Sequence, residues 1–313
     1  MNSVYQVPLS FAQEGVDEII LRSLGIDAQP RDLKAWEEML ERLRNPQGEV
    51  TIGIVGKYVG YEDSYKSLRE ALLHGGLTHS ARVVIRWVEA EDIHRSSAHA
   101  QLRDLDGILV PGGFGIRGIE GMIETIRYAR VEKIPCFGIC LGMQTMVIEF
   151  VRHACELEKA HSTEFDPATP HRIFFKLREL KGVEDLGGTM RLGAWPCRLA
   201  PGSLAEQAYG RREISERHRH RYEFNLEYKE AIEARGMIVS GETPDGTYVE
   251  ICEIRAHPWF LGCQFHPEFK SKPLEPQPLF SAFVGAAYQR ALGRQAEEQK
   301  ADAEQFLRLR AVE

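Results

Sequence analysis

The stretch Ile134-Pro135-Cys136-Phe137-Gly138-Ile139-Cys140-Leu141-Gly142-Met143-Gln144 joins an apolar run, a turn between two glycines and the start of a helical pattern that continues to Ala154. The apolar run reads as a buried strand over 134–139, and 141–154 reads as a helix. Similar pieces recur on its N-terminal side. Residues 50–55 read as a strand ending in Gly56, 63–73 as a helix and 82–88 as a strand. Residues 107–110 form a strand that stops at Pro111-Gly112-Gly113, and 119–131 follow as a helix. This alternation predicts an α/β fold, a mostly parallel central sheet flanked by helices. The C-terminal half adds short strands at 190–198, 237–241, 248–254 and 259–265, then a closing helix over 278–292. Ligands of such sheets sit beyond the carboxyl ends of the strands, so a site is expected after residues 55, 110 and 139.

Residues 1–45 read as a separate helical segment. Residues 11–24 have helical spacing up to Gly25, and Asp32 can cap a second helix carrying Trp36, Met39, Leu40 and Leu43 on one face. The turn cluster Asn45-Pro46-Gln47-Gly48 is the expected boundary. The main domain then spans 46–293, and 294–313 is a charged tail with helical spacing. Of 313 residues 43% are hydrophobic, enough for a sizeable core, and the net charge of −7 argues against a general nucleic-acid or anionic-membrane binder. No apolar run approaches the roughly 18 residues of a bilayer span, and the first residues lack a signal-peptide pattern. Six cysteines in a chain of this length read as reduced thiols of a cytoplasmic protein rather than as a disulfide scaffold.

Gly138-Ile139-Cys140-Leu141-Gly142 carries the strongest chemical signal. A central residue between a strand and a helix, with glycine two positions away on each side, is the pattern of a nucleophile elbow. The helix N-terminus behind it favours thiolate over thiol, and the Leu141 amide can serve as an oxyanion donor. A buried structural cysteine is the plain alternative. A thiol nucleophile needs a base, and the base needs an orienting group. His266-Pro267-Glu268 follows the last apolar strand, where proline fixes the backbone between imidazole and carboxylate. Alone, that tripeptide reads equally as a polar strand-ending turn. Pro111-Gly112-Gly113 can supply the second oxyanion donor, because a glycine amide approaches a substrate closely.

Two tempting matches fail. Gly113-Phe114-Gly115-Ile116-Arg117-Gly118 fits G-x-G-x-x-G, but the next strand ends without the carboxylate that a dinucleotide site wants. Gly56-Lys57 is no phosphate loop, since Thr51 and Tyr58 stand where glycine and Ser or Thr are needed. The cationic stretch 216–223 reads either as a charged surface strand or as an arginine clamp on a small anion. His218 and His220 have metal-like spacing, yet no Cys or carboxylate partner at ligand spacing nearby.

Taken together, Pro111–Gly115, Gly138–Gln144 and Gln264–Glu268 resemble the class I (triad-type) glutamine amidotransferases. Gly56-Lys57-Tyr58, Asp63-Ser64-Tyr65-Lys66-Ser67, Ser162-Thr163-Glu164-Phe165, residues 187–193 and Arg217–Glu223 narrow the resemblance to the glutaminase domains of CTP synthases, over about residues 50–292. The resemblance implies a flavodoxin-like sheet and a triad of Cys140, His266 and Glu268. It implies an oxyanion hole from Gly113 and Leu141, and a glutamine head-group site at Gln144, Glu164 and Arg221. It implies hydrolysis of L-glutamine with no cofactor and no metal for that half-reaction. ATP, UTP and Mg²⁺ would belong to an amidoligase domain missing here, with GTP as an allosteric effector and a homo-oligomer at full length. Residues 1–25 resemble only the end of that domain, so the chain reads as an excised part of a longer, cytoplasmic enzyme. A γ-glutamyl peptidase on the same fold and a catalytically silent interaction module stay open as alternatives.

Overall fold

The structure, a computed structural model, describes residues 3–27, 31–60, 62–176 and 190–310. Of the segments quoted above, Gly187-Gly188-Thr189 and residues 311–313 lie outside them.

Helices α1 (Val7–Gln13), α2 (Val16–Leu24) and α3 (Lys34–Arg44) come first. The single helix expected over 11–24 is broken in two, because Gly15 takes φ +68° and turns the chain. This segment is tied to the main domain. Trp36 Nε1 donates to the Tyr5 carbonyl (2.5 Å), and the Tyr5 hydroxyl meets Glu70 (2.5 Å) and His74 (2.7 Å).

Then follow β1 (Gly48–Gly56), α4 (Lys66–Thr78), β2 (Ala81–Glu89), α5 (Ala98–Leu102), β3 (Gly107–Val110), α6 (Ile119–Val131), β4 (Cys136–Ile139) and α7 (Leu141–His153). Short strands β5 (Ala160–Ser162) and β6 (His171–Lys176) leave the main sheet. The C-terminal half holds β7 (Arg191–Leu199), α8 (Leu204–Tyr209), β8 (Glu213–His220), β9 (Tyr222–Phe224) and α9 (Lys229–Glu233). It ends with β10 (Ile238–Glu242), β11 (Val249–Glu253), β12 (Phe260–Cys263) and α10 (Pro278–Arg310). Thus α10 continues the closing helix through most of the charged tail.

The main sheet has nine strands in the order β2-β1-β3-β4-β12-β11-β10-β7-β8. Its first five are parallel, and from β12 onward each neighbour is antiparallel. A second, three-stranded sheet has the order β5-β6-β9, with β5 and β6 parallel and β9 antiparallel to β6. Both faces of the parallel core are covered, which explains the nearly unbroken apolar runs. Along β3, Ile108 and Val110 pack with Met122, Ile126, Met143 and Met146 of α6 and α7. Leu109 points the other way, with Leu68, Leu72, Phe280 and Phe283 of α4 and α10. The alternation follows from the two-residue period of a strand. The parallel strands all end on one edge, where the turns after 110, 139 and 263 converge.

Candidate active site

Cys140 sits in the turn between β4 and α7 with φ +53° and ψ −102°, a conformation that costs energy in any residue with a Cβ. The sequence permits it locally. A Cβ on Gly138 would lie 2.7 Å from the Gly142 backbone, and one on Gly142 only 1.9 Å from the Val110 carbonyl oxygen. The turn is pinned by the Cys140 N–H, which donates to the Cys263 carbonyl of β12 (2.7 Å). Leu141 opens α7, so its N–H is among the helix's unpaired donors.

His266 follows β12 by three residues. Its N–H donates to the Arg217 carbonyl of β8 (2.8 Å), and its Nδ1 bonds Glu268 Oε1 (2.8 Å). The other side of the ring faces Cys140: a Cβ on Gly112 would lie 2.9 Å from His266 Cε1 and 3.5 Å from Cys140 Cβ. Burial acts most strongly on His266 and disfavours its charge. The charge and hydrogen bond of Cys140, together with Glu268, outweigh it and push His266 up to about 10. Gln264 Nε2 donates to Cys140 Sγ (3.7 Å), a further stabiliser of negative sulfur. Cys140, His266 and Glu268 line a cleft of about 190 Å³ with Gly112, Gly113 and Arg219.

Gly113 lies against Leu141, since a Cβ there would be 3.3 Å from Leu141 Cδ2. Glu164, in the turn after β5, accepts the Gly115 N–H (3.0 Å). Burial raises Glu164 above the usual carboxylate range, against the pull of Lys57 and Arg221. Arg221 is exposed in the turn between β8 and β9. Gln144 is buried behind Cys140, its amide directed to Gln264 Oε1 (3.2 Å) and the Tyr222 carbonyl (3.4 Å).

The cationic stretch is only half a surface strand. Along β8, Glu216, His218 and His220 are buried while Arg217 and Arg219 face outward. His218 Nε2 pairs with Glu250 (2.5 Å) and its Nδ1 with the Glu216 carbonyl (3.0 Å). Arg191 bridges Glu250 (2.6 Å) and Glu223 (3.2 Å) between the rings of Trp195 and Tyr248, each 4.5 Å away. Of these carboxylates, Glu223 on β9 belongs to the stretch itself, whereas Glu250 arrives from β11. Among the described residues no three His, Cys, Asp or Glu side chains gather as metal ligands. No described helix is long and apolar enough to cross a membrane.

A parallel-core sheet with a Cys-bearing elbow facing a His–Glu pair is the architecture of the class I glutamine amidotransferases. The family model described as "Glutamine amidotransferase class-I" matches residues 61–286, and the chain belongs to that family. Its place within the family is the glutaminase domain of CTP synthase. The glutaminase domain of Trypanosoma brucei CTPS, solved with bound acivicin, is 35% identical with a TM-score of 0.72, covering 77% of this chain and 94% of that one. The CTP synthase of Koribacter versatilis is 60% identical over 310 residues, 98% of this chain and 56% of its own length. That of Acidobacterium capsulatum is 64% identical over 289 residues, 92% of this chain and 53% of its own. The chain therefore spans just over half the length of these two CTP synthases.

Proposed function

We propose that Cys140, His266 and Glu268 hydrolyse the side-chain amide of L-glutamine. The observation that carries this reading is the imidazole of His266 held between Glu268 and the Cys140 sulfur. The Cys140 thiolate adds to the amide carbon, forming the S–C bond. The Gly113 and Leu141 amides receive the oxyanion. His266 gives its proton to nitrogen as the C–N bond breaks, and ammonia leaves a γ-glutamyl thioester. His266 then deprotonates water, which cleaves the thioester to glutamate and restores the thiolate. Glu164 pairs with the substrate ammonium and Arg221 with its carboxylate, and Gln144 shapes the wall behind the thiol.

In the longer relatives' setting, the ammonia serves amination of UTP to CTP. ATP, UTP and Mg²⁺ act on an amidoligase domain and GTP acts as effector, in a cytoplasmic homo-oligomer. Residues 1–45 then form the connection to that domain, 46–293 the glutaminase unit and 294–313 its tail. Treatment with a glutamine-like chloroketone tests the core of the reading: one adduct, on Cys140, is expected. An adduct elsewhere, or none with an active enzyme, sinks it.

Two predictions arise here. Glu268→Gln is expected to lower kcat/KM by about 10²–10⁴-fold, because it removes the group that orients the imidazole. Glu268 favours the imidazolium, so its loss lowers the His266 pKa from about 10. The basic limb of the Cys140 alkylation profile then moves to lower pH, and an unmoved limb would contradict the assignment. Glu164→Gln or Arg221→Met should raise KM for glutamine by roughly 10–100-fold and change kcat less, since each removes one charge partner of the substrate. Steady-state kinetics decide it: a fall in kcat at constant KM would speak against these contacts.

A further inference from the structure

The loop carrying Gly113 has no regular structure from Pro111 to Phe114, yet it is held from two sides. Lys57, just past the end of β1, is 2% exposed and turns Nζ onto two successive carbonyls, Phe114 O (3.3 Å) and Gly115 O. Glu164 takes the Gly115 N–H. The Phe114 carbonyl and the Gly115 amide belong to one peptide plane, so that plane is gripped at both ends. The Lys57 stem also runs beside Gly113, where a Cβ would lie 3.6 Å from its Cδ. Lys57 is itself anchored. Its N–H donates to the Tyr65 hydroxyl (3.2 Å), its carbonyl accepts from the Arg117 guanidinium, and its Nζ stands 5.8 Å over the Phe165 ring.

We propose that Lys57 is a positioning residue for the oxyanion hole: by holding the carbonyls of Phe114 and Gly115 it aims the Gly113 amide at the developing oxyanion. This rests on the reading of Gly113 as an oxyanion donor. A buried ammonium is costly unless its donors are used, and here they are spent on the loop carbonyls. Burial pulls Lys57 down to about 8, Glu164 opposes that, and Arg117 adds to it, so the charge persists near neutral pH. The same geometry accounts for the misleading glycine pattern at 113–118. Gly115 and Gly118 take φ +77° and +70°, and the loop turns two carbonyls toward a lysine, the opposite polarity to a phosphate cradle, which presents amides.

The test compares Lys57→Met and Lys57→Arg with the parent in the full chain, by glutamine kinetics and by iodoacetamide alkylation of Cys140. Alkylation creates no oxyanion, so it reports the nucleophile alone. Lys57→Met is expected to lose about 10²-fold in kcat, the usual effect of misplacing a reacting group, with KM and the alkylation rate little changed. Lys57→Arg, which keeps a cationic donor, should recover part of the loss. Parental kcat in Lys57→Met overturns the proposal. A parallel fall in kcat and alkylation overturns it too, since the whole site has then come apart, and so does Lys57→Arg no better than Lys57→Met. A Cys140→Ala control separates the two readings. Ammonia release surviving in that control removes the thiol mechanism and this proposal with it, whereas survival in Lys57→Met alone removes only the role of Lys57.

Discussion

Cys140→Ala is expected to cut ammonia release from glutamine by about 10⁵–10⁶-fold, the scale seen when the nucleophile of a triad is removed. The fold should survive, because alanine at φ +53° meets the same backbone strain that cysteine already carries. The stability change should stay within about 1 kcal/mol, the effect of a small truncation at a site that opens to a cleft. No other thiol can stand in. Burial raises Cys136, Cys155, Cys197, Cys252 and Cys263 above the ordinary thiol range, which disfavours their thiolates. A coupled ammonia assay with a melting curve tests both halves of the expectation. Parental ammonia release from a folded Cys140→Ala protein would end the nucleophile assignment.

Arg191→Met is expected to cost about 3–5 kcal/mol of folding stability, the range found when one partner of a buried ion pair is removed. The guanidinium is the cation shared by Glu223 and Glu250, and all three side chains are at most 2% exposed. Methionine fills much of the volume but leaves two carboxyl groups in a dry site. The penalty should depend on pH. Burial already lifts Glu223 to about 8 despite Arg191, which lowers it, so removing Arg191 lifts it further. A carboxyl group whose folded pKa exceeds its unfolded value near 4.5 binds more protons in the folded state. Its folded form is favoured at low pH and loses ground as pH rises toward the folded value. The cost of Arg191→Met should therefore be smaller at pH 5 than at pH 8. Urea denaturation at the two values measures it, and a penalty that shrinks as pH rises would refute the account.

The parallel half of the fold is written in short-range signals. The strand at 107–110 and the helix at 119–131 match their structural bounds, because a Pro-Gly-Gly turn separates two clear periodicities. The elbow was legible for a related reason: its geometry requires small residues around Cys140, and the requirement shows as Gly138 and Gly142. Gly15 shows the limit of such reading, since apolar spacing continues across a residue that turns the chain. Lys57, Gln264 and the buried face of β8 were not legible as functional or structural polar groups. The partners that make them tolerable lie far along the chain: 57 residues for Lys57 and Phe114, 124 for Gln264 and Cys140, 32 for His218 and Glu250.

Sequence by itself determined the layered α/β plan, the edge of the sheet where chemistry belongs and the thiol, imidazole and carboxylate that meet there, because local sterics and hydrophobic period act over a few residues. Only the tertiary structure decided which charges of the cationic stretch are buried, which carboxylates neutralise them and what holds the Gly113 loop. A charge enters a protein interior only beside its counter-charge or a hydrogen-bond partner, and that partner is chosen by folding rather than by proximity in the chain.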